Sequence, residues 1–172
     1  MSIDTFKNNM PSYAKDIKLN LASVMTPEGS PHLTQKQIDG IALASSYATK
    51  NSAVIQFMLE VSEQTLMENE VEAAKSAATI MAMNNIYYRF IHLVKDDAFK
   101  SLPAKLRMNV IANPGIDKLD YELNCLAVSA INGCGMCIEA HTHELIKAGV
   151  SHLAIQSAIR IAAVINAAAM TI

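Results

Sequence analysis

Cys134-Gly135-Met136-Cys137, followed by His141, is the part of this sequence whose residue types and spacing could do chemistry, and that chemistry is thiol redox. A thiolate, rather than a thiol, attacks peroxides and disulfides, and a free cysteine with a pKa of about 8.5 is mostly protonated at neutral pH. His141 supplies a base one helical turn beyond the second thiol. Two thiols separated by two residues can close a disulfide, so the pair can store two electrons and be reset by a reductant. An enzyme is therefore expected.

If this run is helical, each residue advances about 100°, and Cys134, Cys137 and His141 fall within roughly 60° of one another. His143 then lies about 160° from His141, so a continuous helix cannot turn all four residues toward one zinc ion. Which thiol attacks is open to two opposing effects. A helix N-terminus favours a thiolate at Cys134. His141 favours Cys137, because residues four apart on a helix are neighbours at about 5–6 Å, whereas Cys134 is about 10 Å away. Glu122 is the candidate orienting carboxylate for that base. It belongs to the preceding helix, which the Asn132-Gly133 break lets fold back on the motif; a solvated glutamate is the plainer reading.

The elements that must position these groups read as all-α, with no convincing run of strand-like alternation. Pro11 starts a helix to about Ser23, and Thr26 to Pro31 is a loop. Thr34 and Gln37 form a capping box for a helix through about Thr49. Asn51 caps the next, to about Met67. Glu70 to about Met83 forms another, and Asn84-Asn85 opens a separate stretch from Ile86 to Val94. Lys95 to Asp117, with Pro103, Asn113-Pro114 and Gly115, reads as one long irregular connection. The redox segment, 117–149, holds a helix from Asp117 to Ile131 and another from Cys134 to Ala148, with Gly149 as C-cap; Ser151 caps the last helix. The whole chain, 1–172, reads as one domain.

A faint internal repeat accompanies this pattern. Ala42 to Ser46 aligns with Cys125 to Ser129, placing Asp39 opposite Glu122 and Asn51 opposite Cys134, while Ser76-Ala77 matches Ser157-Ala158. The dithiol belongs to the second copy alone.

Composition narrows the function classes. With 14 basic and 16 acidic residues the formal net charge is -2, and no basic block could follow a phosphate backbone. Apolar stretches are broken by charge before reaching the roughly 20 residues of a membrane span. The nearest approach, Leu153 to Ile172, contains Arg160, Gln156, Ser157, Asn166 and Thr171 and reads as a buried helix. Met1 to Ser12 carries no apolar export signal, and three cysteines suit a catalytic pair in a reducing compartment, so the cytoplasm is expected.

Glu122, the four motif residues and His141 together resemble the signature of the alkyl hydroperoxide reductase D (AhpD) proteins, in the carboxymuconolactone decarboxylase-like superfamily. The likeness extends to Tyr13 through Leu21, to Met83-Asn84-Asn85 with Tyr88-Arg89, and to Leu106-Arg107-Met108-Asn109 leading into Ile111 through Ile116. The resemblance implies an all-helical thiol peroxidase acting on organic hydroperoxides, homotrimeric, with no metal and no bound cofactor. By position, Cys137 would be the peroxidatic thiolate that passes through a sulfenic acid. Cys134 would donate a proton and resolve the intermediate as the Cys134–Cys137 disulfide, with His141 as base and Glu122 in the proton relay. The resemblance further implies dihydrolipoamide as external electron donor, carried on a lipoylated 2-oxoacid dehydrogenase acyltransferase and recharged by lipoamide dehydrogenase. Electrons would also pass to the 2-Cys peroxiredoxin AhpC. One departure is Met136, where some AhpD proteins have a histidine.

Two other activities stand beside this one: an electron-transfer adaptor to the peroxiredoxin with little peroxidase activity, and lactone decarboxylation, which should survive loss of both cysteines. Among the remaining residues, Cys125 reads as a small core residue. His92, His143 and His152 read as surface or contact residues, and the ten methionines as gap fillers. Arg160 hints at a buried pair or a subunit contact.

Overall fold

Helix-favouring punctuation sets the architecture, and the computed structural model describes residues 3–172, with side chains from Phe6 onward. Met1 and Ser2, at the head of the segment read for an export signal, lie outside them. The elements are α1 (Ile3–Asn8), a 3₁₀ turn (Ser12–Ala14), α2 (Lys15–Val24), α3 (Gln35–Thr49), α4 (Ser52–Ser62) and α5 (Glu68–Val94). They continue with α6 (Asp97–Ser101), α7 (Asn109–Ala112), α8 (Lys118–Ile131), α9 (Gly135–Lys147) and α10 (His152–Ala168). The described residues contain no strand, so the all-α expectation holds.

Helices α3 and α8 pack together at the centre, with α5 and α10 each packed against both. Every residue from Ile38 to Ser46 in α3 and from Tyr121 to Ser129 in α8 is buried. That is the register of the internal repeat, and α3–α4–α5 is followed by α8–α9–α10 in the same helical order. The caps correspond as well. Asn51 accepts from the backbone N–H groups of Ala53 and Val54 at the start of α4, and Cys134 holds the equivalent N-cap position on α9.

Four boundaries differ from the sequence reading. Pro11, in an extended conformation, precedes a 3₁₀ turn, so α2 proper begins at Lys15. Helix α4 stops at Ser62, where a turn brings the Thr65 hydroxyl onto the Asp39 carboxylate at 2.5 Å. Asn84-Asn85 does not break the chain, because α5 runs unbroken through both over 27 residues. Asn85 spends its carboxamide on tertiary partners rather than on the local backbone: it donates to Ser129 Oγ at 2.9 Å and accepts from Asn132 Nδ2 at 3.0 Å. The long connection after Val94 contains the short helices α6 and α7, the first capped by the Asp96 side chain.

The Thr34–Gln37 capping box forms as expected. Gly149 ends α9 with φ 87° and Gly133 turns the chain into the motif with φ 67°, a left-handed conformation that glycine adopts without penalty. Arg160 proves to be exposed, donating to the Gly29 carbonyl at 2.8 Å, so it fastens the 26–31 loop to α10 rather than forming a buried ion pair. No helix among the described residues is long and apolar enough to cross a membrane.

Candidate active site

Cys134 caps α9 and Cys137 lies within its first turn, and the two form a disulfide with Cα atoms 5.3 Å apart. The Cys137 backbone N–H donates to Cys134 Sγ at 3.3 Å, which directs an unpaired amide of the helix N-terminus at that sulfur. Relative exposure separates the two residues: Cys134 is 0% exposed, whereas Cys137 keeps 6% and borders an open cleft. An external reagent therefore meets Cys137 first.

His141, one turn farther along α9, borders the same cleft. Its Nδ1 lies 2.6 Å from Glu122 Oε2 on α8, with both side chains largely shielded from water. With the proton on Nδ1 donated to the carboxylate, Nε2 is the atom free to take up or return a proton. Nε2 stands 3.3 Å from Met81 Sδ. The structure thus brings Glu122, Cys134, Cys137 and His141 into one region, with the carboxylate behind the imidazole.

Three residues of α5 supporting this region carry no role in the sequence reading. Met81 receives His141 and also lies 3.5 Å from Ser129 Oγ. Asn85 joins Ser129 to Asn132 through its two hydrogen bonds. Arg89 donates to the Asn132 carbonyl at 2.6 Å, and the Cys134 N–H bonds back to the Ser129 carbonyl at 3.1 Å. One face of α5 therefore clamps the turn that presents the dithiol. The signal was available in the Met83-Asn84-Asn85 and Tyr88-Arg89 segments, once they are placed on one continuous helix.

The other singled-out residues lie apart from the chemistry. Cys125 is fully buried in α8, and burial, reinforced by the Glu122 charge, pushes its thiol well above the ordinary range. His92, His143 and His152 are exposed. Among the described residues no group of three or more His, Cys, Asp or Glu side chains is placed to hold a metal ion.

With this geometry in place, comparison with known proteins decides the family. Residues 97–171 match the Carboxymuconolactone decarboxylase family. A protein named alkyl hydroperoxide reductase AhpD from Coxiella burnetii (strain RSA 493 / Nine Mile phase I) is 58% identical over 164 residues, covering 95% of this chain and 93% of that protein. Relatives with the same name from Rhodopseudomonas palustris (strain BisB18) and Brucella abortus (strain 2308) are 51% and 48% identical over the full 172 residues. These alignments take in 93% and 97% of the two relatives' lengths. The chain belongs to the AhpD family. The matches span the whole chain, so they take in α2, α5 and the 106–116 segment as well as the motif.

Proposed function

We propose that the protein is a thiol peroxidase that reduces organic hydroperoxides through the Cys134–Cys137 dithiol. The observation that carries this reading is the shared cleft of Cys137 and His141, with Glu122 holding the far side of the imidazole. In the reduced state His141 Nε2 takes the Cys137 proton, and the thiolate attacks the distal peroxide oxygen. The O–O bond breaks, the alkoxide takes a proton from Cys134 and leaves as an alcohol, and Cys137 becomes a sulfenic acid. The Cys134 thiolate then attacks that sulfur and closes the disulfide, and the displaced hydroxide takes the proton held by His141 and leaves as water.

Reset uses dihydrolipoamide as the external donor. Its thiolate attacks the accessible Cys137 sulfur, and Cys134 leaves as a thiolate stabilised at the N-terminus of α9. The donor's second thiol then breaks the mixed disulfide and frees Cys137. The relatives' name, alkyl hydroperoxide reductase, supports the reaction class. In the cytoplasm the donor would sit on a lipoylated 2-oxoacid dehydrogenase acyltransferase served by lipoamide dehydrogenase, and the dithiol would also reduce the peroxiredoxin AhpC. A homotrimer belongs to the same proposal. Its support is an exposed apolar stripe on α5 at Ile86, Phe90 and Leu93.

The test is stopped-flow consumption of cumene hydroperoxide by the reduced protein alone, followed by mass mapping of the Cys134–Cys137 disulfide. Stoichiometric oxidation, reversed by dihydrolipoamide, is expected. Slow oxidation with a disulfide still reducible by dihydrolipoamide would assign the adaptor role instead. Lactone decarboxylation retained by the double Cys→Ser variant would overturn both.

A further inference from the structure

Between thiolate formation and disulfide closure the proposed reaction leaves His141 with a hydrogen on each ring nitrogen, in a region largely shielded from water where each N–H needs an acceptor. Glu122 Oε2 serves Nδ1 at 2.6 Å. The atom placed for Nε2 is Met81 Sδ, 3.3 Å away on α5. Met81 is buried, and two further polar groups approach its sulfur: Ser129 Oγ at 3.5 Å and Asn85 Nδ2 at 3.8 Å.

A methionine packed only for its volume has no reason to collect polar neighbours. Its thioether ends a flexible chain with three rotatable bonds, and the sulfur carries lone pairs but no hydrogen to donate. Here the neighbours pin that sulfur. Asn85 Nδ2 donates to Ser129 Oγ at 2.9 Å, which leaves the serine hydrogen to point at Met81 Sδ. The chemistry suits a group that must hold an N–H without taking its proton. A carboxylate in this place would compete for the proton, whereas a thioether accepts the hydrogen weakly and gives it up again.

We propose that Met81 is a positioning residue for His141: its sulfur accepts the Nε2–H while the histidine keeps the Cys137 proton, and it holds the imidazolium until the hydroxide displaced from Cys137 takes that proton. The proposal rests on the peroxidase reading above. Without this acceptor the charged ring keeps only the Glu122 contact, and proton transfer from Cys137 loses a hydrogen bond that forms as the charge develops. The role is distinct from that of Glu122, because Met81 adds no charge to the largely apolar cleft wall it shares with Tyr88, Met108 and Ile111.

Rate constants for Cys137 oxidation by cumene hydroperoxide, with melting temperatures, in wild type, Met81→Leu and Met81→Gln separate this role from packing. Leucine conserves volume and apolarity but accepts no hydrogen bond, whereas glutamine restores an acceptor and buries an amide. Packing alone ranks leucine above glutamine in both rate and stability. The acceptor role reverses the order of the rates. Met81→Leu should be slower than wild type by roughly tenfold, the scale of one hydrogen bond to a charged group, while melting near wild type. Met81→Gln should recover most of the rate despite melting lower. In ¹⁵N-histidine spectra of the disulfide form, Met81→Leu should shift the His141 Nε2 signal by more than the Nδ1 signal. A Met81→Leu variant as fast as wild type, an unmoved Nε2 signal, or a folded Met81→Gln slower than Met81→Leu would overturn the role and leave the peroxidase reading intact. If Met81→Gln does not fold, the leucine rate and the Nε2 signal decide. Failure of reduced wild type to form the disulfide with the peroxide would remove the peroxidase reading and this role with it.

Discussion

Cys134 and Cys137 are chemically alike and environmentally distinct, and the difference assigns their roles. Cys134 is enclosed under an amide N–H, while Cys137 faces the cleft shared with His141. The expected outcome is that Cys137→Ser abolishes peroxide consumption, whereas Cys134→Ser reacts once and stops at a sulfenic acid that a dimedone probe labels. A sulfenic acid on Cys134 in the reciprocal variant would reverse the roles. The third thiol gives an internal control. Because burial holds Cys125 protonated, iodoacetamide should label the reduced native protein at the motif and reach Cys125 only after denaturation. Glu122 acts through His141, whose Nδ1 it holds at 2.6 Å. Glu122→Gln keeps an acceptor but removes the charge that stabilises the imidazolium. Peroxidatic turnover should therefore fall by about 10²-fold or more, in the range of general acid–base contributions, with the fold unchanged. A variant with the wild-type rate would return Glu122 to a structural role.

At the level of elements, the dithiol depends on α5 as much as on the helix that carries it. Asn85 connects Ser129 to Asn132, and the Cys134 N–H answers to the Ser129 carbonyl, so this side chain, with Arg89, fixes the turn before the motif. Asn85→Leu should destabilise the fold by about 1–3 kcal/mol, the range for stranding buried polar partners. It should also slow disulfide closure, and unchanged denaturant midpoint and closure rate would count against the clamp. Helices α8 and α9 were legible from the sequence because punctuation there is local: Asp117, Gly133 and Gly149 each act within a turn of their own position. The expected Asn84-Asn85 boundary does not form because asparagine pairs signal turns only when their carboxamides serve the local backbone. Here Asn85 serves residues distant in sequence, which a linear reading cannot see. The apolar cleft beside Cys137 was invisible for the same reason. It exists only where α5, α7 and α9 come together.

The molecule as a whole carries two records of how the units α3–α4–α5 and α8–α9–α10 differ. In the first copy the place of Glu122 is taken by Asp39, buried and bonded to Gln35 and Thr65, with no histidine or dithiol to serve. Burial raises the Asp39 pKa above the ordinary 3.8, against the opposing hydrogen bonds. The folded state therefore holds this proton more tightly than the unfolded state, so the contribution of Asp39 to stability is greatest below 3.8 and is lost as pH rises to the raised folded value. Melting curves across that interval should be flatter for Asp39→Asn, and parallel curves would exclude the effect. The second record is an asymmetry. The α5 helix of the first copy continues past the core, and its C-terminal half leaves Ile86, Phe90 and Leu93 exposed on one side, with Phe99 of α6 edge-on to Phe90 at 5.1 Å and Leu102 exposed beyond it. Positions 86, 90 and 93 fall within roughly 60° of arc, so they form a single stripe rather than scattered exposure. Contiguous apolar surface of this kind marks an interaction face. If the stripe is the subunit contact of the proposed homotrimer, Phe90→Glu with Leu93→Glu should convert a trimer to monomers in sedimentation velocity. The Cys134–Cys137 disulfide, held within one chain, should still form in the variant. A wild-type monomer at micromolar concentration, or a trimer that survives both charges, would place the contact elsewhere.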